Sequence, residues 1–117
     1  VEFSRATVGI LGLQTSLPLL VEMCQAGTLS RKRMVDLLSA GPSRSFGLPY
    51  GTLKVGAEAD VVVVDPSRSW VFAEDAIRSK SKNSPFLGRK FSGAAVHVVV
   101  GGKRVVVGGE LVTEGAR

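Results

Sequence analysis

Four consecutive valines, Val61–Val64, constrain the fold of this chain more than any other feature. β-branched side chains favour extended backbone, and an unbroken apolar run predicts a strand that is buried on both faces. Pro66 is expected to end this strand, since it has no backbone N–H to pair. Asp60 and Asp65 are expected to fix the turns before and after it through hydrogen bonds from side chain to backbone. The glycine-bounded residues 51–56 predict a short strand that leads into the first turn.

The remainder of the second half also has the pattern of short strands. Ser69–Phe72 predicts one strand, and the Gly101-Gly102 turn predicts a hairpin between residues 94–100 and 103–107. A second glycine pair precedes a last short strand at 110–113. Aromatic residues make up only 6% of the chain. Because valine and leucine supply most of the apolar side chains, we expect an aliphatic core.

The residues before position 49 have helical periodicity instead. Thr15 or Ser16 is expected to cap a first helix, with Pro18 in its first turn and Gly27 at its end. Its apolar stripe comprises Leu13, Leu17, Leu20 and Cys24.

A second helix is predicted to begin after Ser30 as N-cap and to end at Gly41-Pro42, and a third, very short one covers Ser43–Phe46 before Gly47. The buried stripe of the second helix comprises Met34, Leu37 and Leu38. The β-unit is too small to cover both amphipathic helices and itself. We therefore expect part of the fold to lie elsewhere, and the absence of an initiator Met favours a processed or excised piece.

Composition excludes several classes of protein. The net charge is +5, but the cations are scattered and no aromatic platform accompanies them, so nucleic-acid binding is not expected. Cys24 is the single cysteine, which excludes an internal disulfide and a cysteine metal cluster and fits a cytoplasmic location. No signal peptide is recognisable, and the apolar runs are too short to span a membrane.

Four segments, in this order along the chain, resemble those of cyclic amidohydrolases. Gly9–Leu20 and Ser39–Leu48 are similar to stretches of dihydroorotases and allantoinases, although this chain has Gly41 and Ser43 where Asn and Ala are usual. They are followed by Gly51–Asp65 and then by Ser79–Gly88. The last segment, with Asn83 and then Pro85-Phe86, favours the dihydroorotase of the longer-chain bacterial type.

The resemblance implies an α/β fragment. Residues 1–49 are then the last helices of a (β/α)₈ barrel, and residues 50–117 are the C-terminal half of a small β-sandwich domain. The implied reaction is the zinc-dependent, reversible hydrolysis of dihydroorotate to N-carbamoyl-aspartate in pyrimidine synthesis. The family's His-x-His pair, bridging lysine and catalytic aspartate have no counterpart here, so we expect no catalytic residue, no bound zinc and no activity in this chain alone. His97 is interpreted as a strand residue and Cys24 as a small core residue.

The resemblance also implies one contact with substrate, made largely through backbone, at Val8 and Gly9. The implied partners are the remainder of the barrel, a small-molecule substrate, further copies of the protein in a homo-oligomer and, as a possibility left open, aspartate transcarbamoylase. Two alternatives stay open. One is a hydrolase of allantoin or hydantoins, and the other is a non-catalytic dihydroorotase-like partner of aspartate transcarbamoylase.

Overall fold

The computed structural model describes residues 2–6 and 8–112, which form a mixed α/β fragment with an antiparallel sheet. The helices are α1 (Ser16–Gln25), α2 (Arg31–Val35) and α3 (Gly41–Ser45), with a π-helical turn at Asp36–Ala40 and 3₁₀ turns at Phe3–Arg5 and Glu74–Ala76. The strands are β1 (Val61–Val71), β2 (Lys90–Val100), β3 (Lys103–Val107) and β4 (Glu110–Leu111), in the spatial order β1-β2-β3-β4. Within the described ranges, no helix is long and apolar enough to cross a membrane.

Helix α1 confirms the predicted helix and its ends. Thr15 is the N-cap residue, but its hydroxyl does not cap the helix and instead donates to the Gly12 carbonyl at 3.4 Å. At the other end Gly27 has φ +76°, and the Thr28 N–H donates to the Met23 carbonyl at 3.1 Å. This is the bond pattern of a helix that ends with a left-handed glycine.

The predicted apolar stripe of α1 is displaced by one position. Leu13 precedes the helix and is 94% exposed, whereas Pro18 and Val21 are the buried residues. Strand β2 sets this face, because a β-carbon at Gly93 would lie 2.7 Å from Cγ1 of Val21. The other predicted stripe residues, Leu17, Leu20 and Cys24, are half-buried beside it.

The second helix begins as predicted but does not end at Gly41-Pro42. The Ser30 hydroxyl accepts from the Arg33 N–H at 3.1 Å, and the chain stays helical to Ser45. The π-helical turn widens the spiral before Pro42, which relieves the usual conflict between a proline ring and the preceding turn. Gly41 fits because a β-carbon there would lie 2.6 Å from the Asp36 carbonyl oxygen. Within the predicted stripe Met34 is half-buried, while Leu37 and Leu38 are 43% and 40% exposed.

Strand β1 is one long strand rather than two. It passes through Pro66 at an irregularity between Asp65 and Ser69, which an edge strand tolerates because its outer N–H groups need no partner. The Asp65 carboxylate makes the predicted kind of contact by accepting from the Ser67 N–H at 2.9 Å, but it does so at this irregularity within β1 and not in a turn after the strand. The prediction of burial on both faces is wrong for Val61–Val63, whose exposed fractions are 36%, 54% and 49%.

The Gly101-Gly102 hairpin is confirmed, with φ values of +54° and +79°. Asp60 acts here rather than in the turn before its own strand, because its carboxylate accepts from the Gly101 N–H at 2.7 Å. β2 is longer than predicted, and β4 ends at Leu111; the predicted continuation to Thr113 lies outside the described residues. Residues 51–56 form a bend, an irregular segment and a turn instead of the predicted strand. Gly51 packs against α3, where a β-carbon at this position would lie 3.0 Å from Oγ of Ser43.

The core is aromatic, not aliphatic as expected. Phe72, Ile77 and Phe91 are buried, and the half-buried side chains packed on them are Leu11, Leu19, Trp70 and Phe86. The ring centroids of Trp70 and Phe91 are 5.4 Å apart. Few rings suffice because each buries a large apolar area. The valines lie largely on sheet surfaces that the described residues leave uncovered, and the radius of gyration is 16.3 Å, against about 13 Å for a compact domain of this length.

Replacing Gly93 by alanine should destabilise the fold strongly. Gly93 has φ +107°, and its added methyl group would meet Val21. We expect Gly93→Ala to lower the free energy of unfolding of the complete polypeptide by about 3 kcal/mol, from backbone strain plus overpacking. Gly101→Ala is the matched control, because it has a positive φ and open space around it, and should cost about 1 kcal/mol. Equal losses in urea denaturation would contradict the packing of α1 on β2.

Asp36 should titrate at unusually low pH. The pKa of Asp36 is held below its ordinary value, first of all by a hydrogen bond from Arg44 at 2.6 Å. Coulombic attraction to both arginines and a second hydrogen bond, from Arg33 at 2.7 Å, lower this pKa further. Because the folded pKa is the lower one, the ion pairs stabilise the helix above about pH 4, and this stabilisation is lost as the pH falls through the folded pKa. Arg44→Ala should raise the pKa of Asp36 in an NMR titration, and Arg31→Ala should leave it in place. An ordinary pKa in the wild type would refute the assignment.

Candidate functional site

The two predicted substrate-contacting residues lie in an exposed loop before α1, residues 8–14, called here the amino-terminal loop. The Val8 side chain is 97% exposed. Gly9 has φ +75°, and no atom lies within 4 Å of the position that a β-carbon would occupy. The backbone at Gly9 is therefore open to close approach by another molecule. The substrate contact itself stays a prediction.

Asn83 holds the amino-terminal loop at two points. Its side-chain Nδ2 donates to the Gly9 carbonyl, and its own carbonyl accepts from the Leu11 N–H at 2.9 Å. The Asn83 N–H in turn donates to the Ser81 hydroxyl at 3.3 Å. One residue thus fixes the backbone on both sides of Ile10.

Gln14 makes a second pair of contacts at the other end of the same loop. Its Nε2 donates to the Ala76 carbonyl at 2.9 Å, and its Oε1 accepts from the Arg78 N–H at 2.9 Å. A side-chain amide has one donor group and one acceptor group, so both ends of the Gln14 amide are used. We call these contacts of Asn83 and Gln14 the amide clamps.

The clamps connect the amino-terminal loop to residues 72–89, which join β1 to β2 and are called here the connecting loop. The connecting loop is anchored in the aromatic core by Ile77, which is 5% exposed, and by Phe86. Lys82 Nζ donates to the Ile77 carbonyl at 3.1 Å. Leu11 packs on the same core. The clamps therefore connect the exposed backbone of the amino-terminal loop, by way of the connecting loop, to the buried aromatic core.

Sequence reasoning missed the role of these two amides. From the sequence, Asn83 was known only as part of a segment that resembles dihydroorotases, and Gln14 lies in another such segment. Neither amide stands out from its local sequence, since Gln14 precedes Thr15 and Asn83 lies between Lys82 and Ser84. The partners lie 62 to 74 positions apart along the chain, and such a pairing is not readable from one sequence.

Within residues 2–6 and 8–112, the titratable side chains do not assemble into a second site. His97 lies on β2 as predicted, and its Nδ1 accepts from the Gly108 N–H at 3.3 Å. Cys24 is half-buried, with Sγ 3.8 Å from Sδ of Met34. In the part of the chain that the structure covers, no three His, Cys, Asp or Glu side chains come close enough to hold a metal ion. The residues present do not fit zinc, and no chemical step assigned to this chain runs through it.

A shallow groove of about 170 Å³ lies between α1, α2 and β1 and shares no lining residue with the amino-terminal loop. Its walls are Val21, Cys24, Gln25, Arg31, Met34, Val64 and Pro66. It is mostly apolar and open, which is typical of a surface between packed elements.

Removing the Gln14 amide should loosen the connecting loop. Gln14→Ala leaves the Arg78 N–H and the Ala76 carbonyl without this partner, at a cost of about 1 kcal/mol for each bond. We expect the amide of Arg78 to exchange with solvent several times faster in hydrogen–deuterium exchange of the complete polypeptide. Ser79→Ala, an exposed neighbour in the same loop, should not change the exchange. Unchanged exchange in Gln14→Ala would show that this clamp is absent.

The sequence profile described as the amidohydrolase family matches residues 4–105 of the chain. A dihydroorotase of Geotalea daltonii is 49% identical over 105 residues, covering 90% of this chain and 25% of that protein. A dihydroorotase of Geobacter sp. strain M21 is 49% identical over 109 residues, covering 93% of this chain and 26% of that protein. The predicted resemblance to dihydroorotases is thereby confirmed.

Solved structures of a hydantoinase and of a dihydroorotase-like domain also align with this chain. An L-hydantoinase (dihydropyrimidinase) from Arthrobacter aurescens aligns with a TM-score of 0.86 and 36% identity, over 95% of this chain and 25% of that one. An inactive dihydroorotase-like domain of a multifunctional protein of Chaetomium thermophilum aligns with a TM-score of 0.60 at 21% identity, over 82% of this chain and 25% of that one, which shows the shared fold alone. This chain spans about a quarter of the length of the curated relatives it matches, and it belongs to the amidohydrolase family of hydrolases.

Proposed function

We propose that the complete protein is a dihydroorotase, which hydrolyses dihydroorotate reversibly to N-carbamoyl-aspartate in pyrimidine synthesis. The observation that carries this proposal is the 42–49% identity to curated dihydroorotases over about 90% of the chain. That alignment is much longer than the short glycine and proline patterns that recur in unrelated proteins.

In this proposal the chain supplies a structural quarter of the enzyme. Helices α1 to α3 belong to the end of a (β/α)₈ barrel, and the four-stranded sheet is half of a small sandwich. The uncovered apolar side chains support this role, since Val35 is 54% and Val62 is 54% exposed and such surfaces are normally covered. Any zinc of the complete enzyme is held by residues outside this chain.

Among the described residues, the backbone at Val8 and Gly9 is the part that we assign to the active site. Dihydroorotate is a cyclic amide with a carboxylate, and its oxygens accept hydrogen bonds from backbone N–H groups. Because the Asn83 side chain occupies the Gly9 carbonyl, the N–H of Gly9 is the group assigned to the substrate. The glycine permits this close approach without a side chain in the way.

Two other functions are alternatives to the leading one. The similarity to an L-hydantoinase supports a cyclic amidohydrolase that acts on hydantoins or dihydropyrimidines without a carboxylate. The second alternative is a non-catalytic protein that holds a partner such as aspartate transcarbamoylase, and the fold shared with an inactive dihydroorotase-like domain is compatible with it. A homo-oligomer and a cytoplasmic location are proposed together with the leading function.

The substrate preference of the complete protein separates these functions. Dihydrouracil is the ring of dihydroorotate without the carboxylate, so it is the matched comparison. A site built to bind the carboxylate should prefer dihydroorotate by about 10⁴-fold in kcat/KM, because dihydrouracil leaves its polar groups unpaired. The 117-residue chain alone, with zinc added, should show no turnover.

Each contrary outcome identifies a different error. Preference for dihydrouracil, hydantoin or allantoin would replace the dihydroorotase proposal by the hydantoinase-type one. A complete protein that lacks the His-x-His pair and all turnover would be the non-catalytic partner. Turnover by the isolated chain would contradict the assignment of the catalytic residues to the missing part.

A further inference from the structure

We propose that Asn83 is a positioning residue for substrate binding: its side-chain amide fixes the backbone of Gly9 in the orientation that the substrate requires. This inference rests on the proposed contact of Val8 and Gly9 with substrate. Asn83 belongs to the connecting loop, and in this proposal it acts on the substrate through Gly9 without touching the substrate itself.

The exposure of the amino-terminal loop explains why hydrogen bonds must hold it. Val8 is 97% exposed, Ile10 is 63% exposed and Gly9 has no side chain. Burial of apolar surface therefore cannot fix residues 8–10, although it fixes Leu11, which packs on the aromatic core. Among the described contacts, the Asn83 side chain constrains the Gly9 carbonyl, and the Asn83 carbonyl binds the Leu11 N–H.

The conformation of Gly9 raises the importance of this bond. Gly9 has φ +75°, and a glycine adopts positive and negative φ about equally well. The peptide planes on either side of Gly9 can therefore rotate at little cost in free energy. A hydrogen bond to the Gly9 carbonyl fixes the peptide plane that Gly9 shares with Ile10. The Gly9 N–H lies in the preceding plane, which joins the fixed one at the Gly9 Cα, so its range of positions is narrowed as well. Asn83 is itself held by Ser81 and by the anchored connecting loop, so it is a fixed reference point.

A contact made through backbone cannot be removed by changing the side chain that makes it. It can be misplaced, and a displacement of about 1 Å at a binding group is enough for a large loss. Since the groups that perform the chemistry lie outside this chain, the loss should appear in substrate binding. We expect a higher KM with little change in kcat, which is the behaviour of an interaction made equally in the ground state and transition state.

The test compares Asn83→Ala, Asn83→Gln and the wild type as complete proteins, with dihydroorotate as substrate. Asn83→Ala should raise KM about tenfold, the equivalent of one hydrogen bond of about 1.4 kcal/mol, and should change kcat less than twofold. Asn83→Gln keeps an amide donor and should recover part of the loss. Ser79→Ala, an exposed residue of the same loop, is the control and should leave both constants unchanged.

Several results would overturn the inference. Wild-type KM in Asn83→Ala, or an equal fall of kcat and kcat/KM without recovery in Asn83→Gln, shows that Asn83 does not position the substrate. If Asn83→Ala fails to fold in a thermal melt, Asn83→Asp keeps the size of the side chain but replaces the Nδ2 donor by a carboxylate oxygen. It should raise KM at least as much, and wild-type KM there overturns the inference too.

The inference and the proposed function fail separately. If the wild type turns over dihydrouracil but not dihydroorotate, the dihydroorotase proposal is wrong, and the same comparison with dihydrouracil still decides the role of Asn83. If the wild type turns over neither ring, both are wrong.

Discussion

Burial of Phe72, Ile77 and Phe91 is the interaction on which the rest of this structure depends. Phe91 belongs to β2, Phe72 follows β1, and Ile77 lies in the connecting loop. Leu19 of α1 and Leu11 of the amino-terminal loop pack on the same cluster. Each large apolar side chain contributes about 1.5–3 kcal/mol when buried, against about 1 kcal/mol for a hydrogen bond. The cluster therefore sets where the elements lie, and the amide clamps set the finer orientation of the exposed loop.

Local chemistry made much of the fold predictable. Gly27 and Ser30 identify helix ends by mechanisms that act within a few residues, and the Gly101-Gly102 turn identifies its hairpin in the same way. The resemblance to dihydroorotases was also readable, because it rests on the order of four segments rather than on any one of them. What a residue does to its near neighbours is contained in the sequence.

The errors arose where a distant residue decided the outcome. Pro66 does not end β1, since pairing with β2 makes that strand the sheet edge. Pro42 is the exception, because the π-helical turn directly before it lets the helix continue. The sequence predicted that Val61–Val63 are buried, but these side chains are exposed. The core is formed instead by Phe72, Ile77 and Phe91, which come from separate parts of the chain. The candidate site shows the same limit, because Val8 and Gly9 came from resemblance while Asn83 became visible only from its contact across 74 positions.

We propose that this chain presents the Gly9 backbone to a cyclic amide bound by the rest of the protein, with Asn83 holding it in place. A crystal structure of the complete protein with dihydroorotate bound tests this most directly. We expect the Gly9 N–H within about 3 Å of a substrate oxygen and the Asn83 amide on the Gly9 carbonyl. A substrate bound away from Gly9, or a Gly9 carbonyl that Asn83 does not reach, would contradict it.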